Sequence, residues 1–326
     1  MNILWVSILG LHLAIVGNGR IGRPTAYTIF NEKIINEISL VDIKPGLAWA
    51  FGEELRHVAA SLRYDIKINT YEKDEGPSGA DLVVICPGKP RIPGVNMDRR
   101  DLVAENAKIV NHIAEVMPNR NRNAKWVIVT NPVDSMATLF KKVSGANFVI
   151  GTGDHPDTLR FRTKLAMDLM VPISKIDGFV GGEHGSAAYP LWSTVKVIGK
   201  PLDQYLKETG KTLNKDAVIG YVRGVSKKIV DVIGGTEVGP AAGFRDIIRS
   251  ILMDRKEIYS IAQSLKLPGL PEPVNVNVPT VVGSEIGSNN WDELTEEEHF
   301  NIIQAAKAIY ENYQIGMKAV GRVSHY

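Results

Sequence analysis

Residues 11–30 read LHLAIVGNGRIGRPTAYTIF, and this stretch decides the fold. A short apolar run is followed by a glycine-rich turn and then by residues with helical spacing. Gly17, Gly19 and Gly22 give the turn the pattern G-x-G-x-x-G. The first glycine permits a tight turn, the second lets a pyrophosphate approach the backbone, and the third lets the helix pack closely on the strand. The turn is a candidate dinucleotide-binding loop, which also contains Asn18, Arg20 and Ile21.

An acid follows the second apolar run. The residues EISLVDIK (37–44) predict a strand that ends at Asp42, which lies 25 residues after Gly17. At this distance an acid meets the ribose hydroxyls of the adenosine, and its charge repels a 2′-phosphate. We therefore predict NAD rather than NADP as the cofactor, with Lys44 softening the discrimination. The alternative is that Asp42 is only a turn residue at the end of a strand.

Strands and helices continue to alternate along the first half of the chain. DLVVIC (81–86) and KWVIVT (125–130) are continuous apolar runs, typical of parallel strands that are covered on both faces. Stretches with helical spacing lie between the strands. This order predicts an α/β fold with a Rossmann-type doubly wound parallel sheet, followed by a C-terminal α+β substrate domain. We place the nucleotide-binding domain at residues 1–150 and the substrate domain at residues 151–326.

Composition and charge exclude several other classes of protein. The formal net charge is +2, so no basic field indicates a nucleic-acid partner. The chain is apolar from Ile3 to Val16 apart from Ser7 and His12, but it has no Lys or Arg before Arg20, and the run is too short for a membrane span of about 20 residues. We interpret residues 1–10 as an N-terminal extension. The single cysteine, Cys86, excludes an internal disulfide and fits a cytoplasmic protein. No histidine spacing suggests a metal site.

Two polar segments follow strands of the predicted sheet, where ligands bind in such folds. The segment PGKPRIPGVNMDRRDL (87–102) concentrates Arg91, Arg99 and Arg100. It is either a solvated basic loop or a lid that closes over an anionic substrate. Asn131 supplies an amide after the other strand.

Further along, Asp157 and Arg160 lie three residues apart, so they share one face of a helix and form either a simple ion pair or part of a site.

His184 is one candidate for proton transfer among seven histidines, and the residues alone leave the choice open. It lies in GGEHGSAAYP (181–190), between small residues. Imidazole suits proton transfer near neutral pH, and a carboxylate such as Asp157 can fix its tautomer. His155 is the main rival, but Pro156 restricts its backbone and it lacks flanking glycines.

Several motifs together resemble the lactate/malate dehydrogenase family. They occur in the family's order, as AIVGNGRIG (14–22), LVDI (40–43), GKPR…DRRDL, VTNPVD (129–134), DTLRFR (157–162) and GGEHG (181–185). The resemblance covers roughly residues 12–320 and is strongest to the malate dehydrogenases of the lactate-dehydrogenase-like branch. It implies NAD-dependent oxidation of malate to oxaloacetate in a homodimer or homotetramer. Lactate dehydrogenase and a non-catalytic dinucleotide-binding protein remain as alternatives.

The resemblance also implies a role for each matching residue. His184 transfers the proton, Asp157 orients it, and Arg160 binds the substrate carboxylate. Arg99 polarises the carbonyl, with Arg100 as the alternative because the loop is about two residues longer than usual. The remaining implied positions are Arg91, Asn131 and Thr236 at the substrate, and Asn106, Val129 and Asn131 at the cofactor. An arginine at position 91 selects malate by pairing with its second carboxylate. Ser186 stands where the family often has an aspartate.

Overall fold

The computed structural model describes residues 10–73, 76–89 and 99–322, and for residues 99 and 100 it describes the backbone alone. Nine of the ten residues of the predicted N-terminal extension lie outside this part of the chain. Arg91 and the side chains of Arg99 and Arg100 also lie outside it.

The first half of the chain forms a parallel sheet. Its strands are β1 (His12–Val16), β2 (Glu37–Val41), β3 (Lys67–Tyr71), β4 (Leu82–Ile85), β5 (Lys125–Ile128) and β6 (Val149–Gly151). They alternate with α1 (Gly22–Phe30), α2 (Leu47–Leu62), α3 (Arg99–Val116) and α4 (Val133–Ser144). The strand order is β3-β2-β1-β4-β5-β6, and each pair is parallel. The order reverses direction between β1 and β4, where nucleotides bind in such sheets.

Both faces of this sheet are covered at its centre, which explains why β4 and most of β1 and β5 are apolar. Leu13 and Ile15 of β1 pack in one cluster with Ile29 of α1. The alternate residues Ala14 and Val16 pack in a second cluster with residues of α3 and α4. Because successive side chains of a strand point to opposite faces, β1 contributes to two cores at once. The predicted doubly wound sheet is confirmed.

The second half adds antiparallel strands to the same sheet. Its elements are α5 (His155–Leu169), β7 (Ile176–Gly182), β8 (Ala188–Val197), β9 (Lys200–Pro201), α6 (Leu202–Thr209), α7 (Lys215–Ile233), α8 (Val238–Leu252), β10 (Glu257–Leu265), β11 (Val274–Val282), β12 (Ile286–Asn289) and α9 (Glu296–Ala319). Beyond β6 the order is β10-β11-β7-β8-β9, with β12 beside β11. The antiparallel pairing of β10 with β6 joins the two halves.

The last helix bridges both halves. A capping box formed by Thr295 and Glu298 fixes its start, as the Thr-x-x-Glu pattern predicts. Tyr313 and Met317 of α9 lie in the cluster with α3 and α4, so the helix packs on the first half of the chain as well. Its earlier turns pack on β11. Although α9 has 24 residues, neither it nor any other described helix is long and apolar enough to cross a membrane.

Candidate active site

The glycine loop after β1 leaves one open face. A Cβ at Gly22 would lie 1.9 Å from the Gly17 carbonyl oxygen, so only glycine allows α1 to start this close to β1. Gly17 has φ +84°, and a Cβ there would meet the backbone nitrogen of Pro87 at 2.6 Å. A Cβ at Gly19 would meet nothing within 4 Å. Packing therefore explains two of the glycines, while Gly19 borders free space that a pyrophosphate could enter.

Asp42 is fixed beside this loop by backbone amides. Its Oδ2 accepts a hydrogen bond from the Asn18 N–H at 2.7 Å, and its Oδ1 accepts one from the Lys44 N–H at 2.9 Å. The Asn18 side chain in turn donates to the Val41 carbonyl oxygen at 2.9 Å. Each carboxylate oxygen keeps a second lone pair, so Asp42 can still accept hydrogen bonds from a diol. These free acceptor positions fit the adenosine ribose hydroxyls of a dinucleotide.

Arg20 turns away from the glycine loop toward the segment between α7 and α8. Its Nε lies 3.2 Å from Glu237 Oε1, and its Nη1 donates to the Gly234 carbonyl oxygen. The same segment carries Thr236. Arg20 therefore links the predicted cofactor loop to a predicted substrate residue, and its neighbour Ile21 lines the cleft between them.

Asn106 joins the loops that follow β4 and β5. Its side-chain oxygen accepts a hydrogen bond from the Lys89 N–H at 2.7 Å, and its amide donates to the Asn131 carbonyl oxygen at 2.8 Å. The side chain is buried, so both bonds are protected from water. Asn106 thus holds Asn131 in place at the mouth of β5.

One cleft brings together six of the predicted residues. It encloses about 430 Å³, and part of this space is open to solvent. The predicted residues that line it are Ile21, Val129, Asn131, Arg160, His184 and Thr236. The others that line it are Val133, Thr152, Gly153, Pro156, Pro240 and Phe244. Apolar side chains and five polar or charged ones line the cleft together, so it can hold a small polar molecule.

His184 and two residues of α5 form the polar end of the cleft. His184 Nδ1 lies 2.6 Å from Asp157 Oδ2, and Arg160 Nη1 donates to Asp157 Oδ1 at 2.5 Å. The helical spacing of Asp157 and Arg160 places both on the face that the loop after β7 contacts. Since Asp157 occupies Nδ1, the Nε2 atom of His184 is left for a ligand. The His184 side chain remains a quarter exposed, whereas Asp157 is buried.

Charge rather than burial sets the ionisation of this pair. Burial raises the pKa of Asp157, but His184 and Arg160 together bring it below its ordinary value. Burial lowers the pKa of His184, but the Asp157 carboxylate, with help from Asp134, raises it above its ordinary value. The pair therefore favours an ionised carboxylate and an imidazole that can hold a proton near neutral pH.

Buried polar groups behind His184 support its loop. Asp134 Oδ2 accepts a hydrogen bond from the His184 backbone N–H at 2.7 Å. Asp134 Oδ1 accepts from the Asn277 amide at 2.9 Å, and that amide also donates to the Gly182 carbonyl oxygen at 3.0 Å. Asp134 belongs to the VTNPVD motif, but nothing in the motif indicates this supporting role. Asn277 was not predicted, because one asparagine inside an apolar strand carries no local signal.

The rival residues lie elsewhere. His155 is buried, packs edge-on against Tyr259 with ring centroids 4.8 Å apart, and does not line the cleft. Burial lowers its pKa. Burial also raises the pKa of the Cys86 thiol to about 12, so Cys86 is not a nucleophile near neutral pH.

The cleft also contains a group of possible metal ligands. Ligand atoms of Asp154, Asp157 and His184 lie within 4.8 Å of one another. However, an ion held by both His184 and Asp157 would separate their ligand atoms by more than the observed 2.6 Å, since each metal–ligand bond is about 2.0 Å. The geometry favours a hydrogen-bonded proton relay.

These features define a dinucleotide-dependent dehydrogenase. The glycine loop lies at the switch point of a parallel sheet, an acid follows β2, and the adjoining cleft holds an imidazole–carboxylate pair. Comparison with known proteins narrows this class. Residues 11–148 match the model of the lactate/malate dehydrogenase NAD binding domain, and residues 156–319 match that of the lactate/malate dehydrogenase alpha/beta C-terminal domain. The chain belongs to the lactate/malate dehydrogenase family, and its cofactor is NAD.

Individual relatives cover almost the whole chain. A malate dehydrogenase of Sulfolobus acidocaldarius is 38% identical over 95% of this chain and 98% of its own length. A malate dehydrogenase of Sulfurisphaera tokodaii is 39% identical over 94% of this chain and 96% of its own length. The crystal structure of Cryptosporidium parvum malate dehydrogenase superposes with a TM-score of 0.87 at 28% identity, covering 95% of this chain and 99% of that one.

Proposed function

We propose that the protein is an NAD-dependent malate dehydrogenase that interconverts (S)-malate and oxaloacetate. The observation that carries this proposal is the cleft in which His184, Asp157 and Arg160 meet next to the dinucleotide loop. Identities of 38–39% to malate dehydrogenases over nearly the full chain support the choice of substrate.

In the proposed reaction, His184 Nε2 accepts the hydroxyl proton of malate. Asp157 fixes the tautomer with Nδ1 protonated, and its negative charge stabilises the imidazolium that forms. Held at the loop of Gly17, Gly19 and Gly22, NAD would supply the acceptor for the hydride that leaves the carbon bearing this hydroxyl. In reverse, the protonated His184 returns its proton to the carbonyl oxygen. The chain supplies position and electrostatic field, and the cofactor supplies the redox step.

Arg160 is the proposed clamp for the substrate carboxylate. Its planar fork matches a carboxylate bidentately, and only one of its N–H groups donates to another residue in the described chain. Asn131 and Thr236 line the same cleft and orient the substrate. By resemblance, Arg99 polarises the carbonyl and Arg91 pairs with the second carboxylate of malate.

We also propose that the protein works in the cytoplasm as a homodimer or homotetramer. The lone cysteine supports a reducing compartment, and the buried state of its thiol is compatible with one. Membership of the family supports the oligomer.

Steady-state rates with oxaloacetate and pyruvate, each with NADH and then NADPH, test the proposal. We expect oxaloacetate with NADH to give the highest kcat/KM. Arg91→Gln should reduce activity on oxaloacetate far more than on pyruvate. Equal losses on the two substrates would remove Arg91 as the selector, and a preference for pyruvate in the unmodified protein would make it a lactate dehydrogenase.

His184→Asn separates an enzyme from a protein that only binds the dinucleotide. We expect NADH binding near that of the unmodified protein, measured by the change in NADH fluorescence, together with loss of turnover. NADH binding without turnover in the unmodified protein would favour a non-catalytic role.

A further inference from the structure

Asp154 is a buried acid directly behind the His184–Asp157 pair. It is the residue before α5, and its exposed fraction is 0%. Aspartate at this position commonly accepts hydrogen bonds from the first N–H groups of the helix, but the Asp154 side chain caps none of them. Its carboxyl group instead lies with an oxygen within 4.8 Å of the ligand atoms of Asp157 and His184.

Neither carboxyl oxygen of Asp154 has a hydrogen-bond donor among the described residues. The backbone N–H of Asp154 is used, since it donates to Asn277 Oδ1 at 3.0 Å. An ionised carboxylate offers only acceptors, so in this place it would be a buried charge with no donor. Such a group neutralises by taking a proton, because a buried, unpaired charge costs far more than a shift in its ionisation.

The charges around Asp154 act in the same direction. Asp157 on α5, Asp134 on α4 and Glu183 in the loop after β7 all face it, and each raises its pKa in addition to the effect of burial. The cationic groups of the cluster, His184 and Arg160, are both engaged with Asp157. The neighbour contributed by β11, Asn277, is uncharged.

We propose that Asp154 is a neutral carboxylic acid whose O–H donates a hydrogen bond to the Asp157 carboxylate, and that it thereby positions and tunes the His184 proton relay. Protonation turns an acid without donors into a donor, and Asp157 is the acceptor beside it. Asp154 is a positioning residue, since it acts on His184 through Asp157. Its effect on turnover rests on the proposed function, but its protonation state does not.

A neutral Asp154 matters because it keeps a second negative charge away from the relay. An ionised carboxylate this close to His184 would raise the pKa of the imidazole by about one to three units. Malate oxidation, which needs neutral His184, would then begin at a higher pH. The O–H also stabilises the ionised form of Asp157 and fixes the orientation of its carboxylate.

Two substitutions at this position separate charge from hydrogen bonding. Asp154→Asn keeps a neutral group with an N–H donor, so kcat/KM for malate and its pH profile should stay within roughly twofold of the unmodified protein. Asp154→Ala removes the donor, so kcat should fall roughly tenfold, as for a lost hydrogen bond to a charged group. The acid limb, which is the low-pH part of the profile where malate oxidation falls off, should move to higher pH. Asp168→Asn, on α5 and paired with Lys164, is the matched control for replacing an aspartate that forms an ion pair.

A downward shift of the acid limb by about one unit or more in Asp154→Asn would mean that Asp154 is ionised, and would overturn the proposal. So would an Asp154→Ala variant with unchanged turnover and pH profile.

Infrared difference spectra test the protonation state without any substrate. Protein labelled with ¹³C-aspartate should show the carbonyl stretch of a protonated carboxylic acid near neutral pH, where ordinary aspartates are ionised. Burial raises the pKa of Asp134 to about 7, so the Asp154→Asn variant is needed to assign the band to Asp154. Asp154→Asn should remove the band and Asp168→Asn should retain it. Absence of the band in the unmodified protein would overturn the proposal even if both variants failed to fold.

Stability gives a third measurement. The folded-state pKa of Asp154 is raised, so its favourable contribution is present below the unfolded value of about 4 and is lost as pH rises towards the folded value. Asn has no such dependence. The Tm of Asp154→Asn minus that of the unmodified protein should therefore grow as pH rises from about 4 to 8. A difference that stays constant or shrinks contradicts a neutral Asp154. Because this result and the infrared band need no malate, they stand or fall separately from the proposed function.

Discussion

His184 Nδ1 and Asp157 Oδ2 are 2.6 Å apart, although the two residues belong to different elements and are 27 positions apart in the chain. The contact forms because β7 runs antiparallel to β11 and ends beside the start of α5. A hydrogen bond from Nδ1 fixes the tautomer, so Nε2 is the atom that can exchange a proton with a ligand in the cleft.

Asp157→Asn should remove the charge that holds this tautomer. We expect kcat to fall by about two to four orders of magnitude while NADH binding is unchanged. Steady-state kinetics and NADH titration measure the two effects. Asp168→Asn, which breaks a partly buried ion pair with Lys164 on the same helix, should keep kcat within about twofold. Comparable losses in both variants would point to damage of α5 rather than loss of the relay.

Arg160→Lys should weaken substrate binding more than catalysis. Lysine keeps the charge but loses the planar fork, so we expect KM for oxaloacetate to rise roughly 10- to 100-fold. Arg56 forms an equivalent i,i+3 pair with Glu53 on the exposed face of α2, so Arg56→Lys is the matched control. An unchanged KM in Arg160→Lys would mean that another cation binds the carboxylate.

Replacement of Gly19 and of Gly22 by alanine should impair different properties: NADH binding in Gly19→Ala and stability in Gly22→Ala. The Cβ of Gly22→Ala meets the Gly17 carbonyl at 1.9 Å, so Tm should fall by several degrees. The Cβ of Gly19→Ala meets no protein atom within 4 Å, so Tm should hold while the Kd for NADH rises about tenfold or more. Gly220→Ala, with free space on an exposed turn of α7, is the control for both. Normal NADH affinity in Gly19→Ala would place the pyrophosphate elsewhere.

Asp42→Asn should relax the choice of cofactor. Loss of the negative charge removes the repulsion of a 2′-phosphate, while one side-chain oxygen remains to accept from the Asn18 N–H. We expect the ratio of kcat/KM for NADH to that for NADPH to fall about tenfold. Glu37→Gln, at the other end of β2, should leave the ratio unchanged. A ratio that does not move would show that Asp42 only supports the turn.

The sequence predicted the parts of the fold whose signals are local. A few consecutive residues are enough to recognise each of them: the glycine loop, the acid after β2 and the continuous apolar strands. β3 was missed because Lys67, Asn69 and Thr70 make it polar, as suits an edge strand that is half exposed. No spacing paired His184 with Asp157; the family resemblance supplied that pairing.

The supporting residues were not predictable for a related reason. Asp134 and Asn277 are 143 positions apart and meet only because α4 packs on β11. Asp154 was visible in the sequence as one more acid near the start of a helix. Its significance comes from the donors that it lacks, which only the packed structure shows.

The two directions of the reaction should depend on pH in opposite ways. Reduction of oxaloacetate needs protonated His184, and oxidation of malate needs the neutral form. Because Asp157 raises the pKa of His184, reduction should persist above the ordinary histidine value of about 6.5, and oxidation should begin later than that value. The linked stability has the same sign: it is fully present below about pH 6.5 and is lost as pH rises through the raised folded pKa.

Profiles of log kcat/KM against pH in both directions, together with Tm over the same range, measure these effects. In Asp157→Asn the charge that raises the pKa is gone, so both kinetic limbs should move to lower pH and the loss of Tm attributed to His184 should disappear. Oxidation that is already half-maximal below pH 6.5 in the unmodified protein would contradict a raised pKa for His184. If the limbs of the pH profiles stay in place in Asp157→Asn, they report the titration of another group.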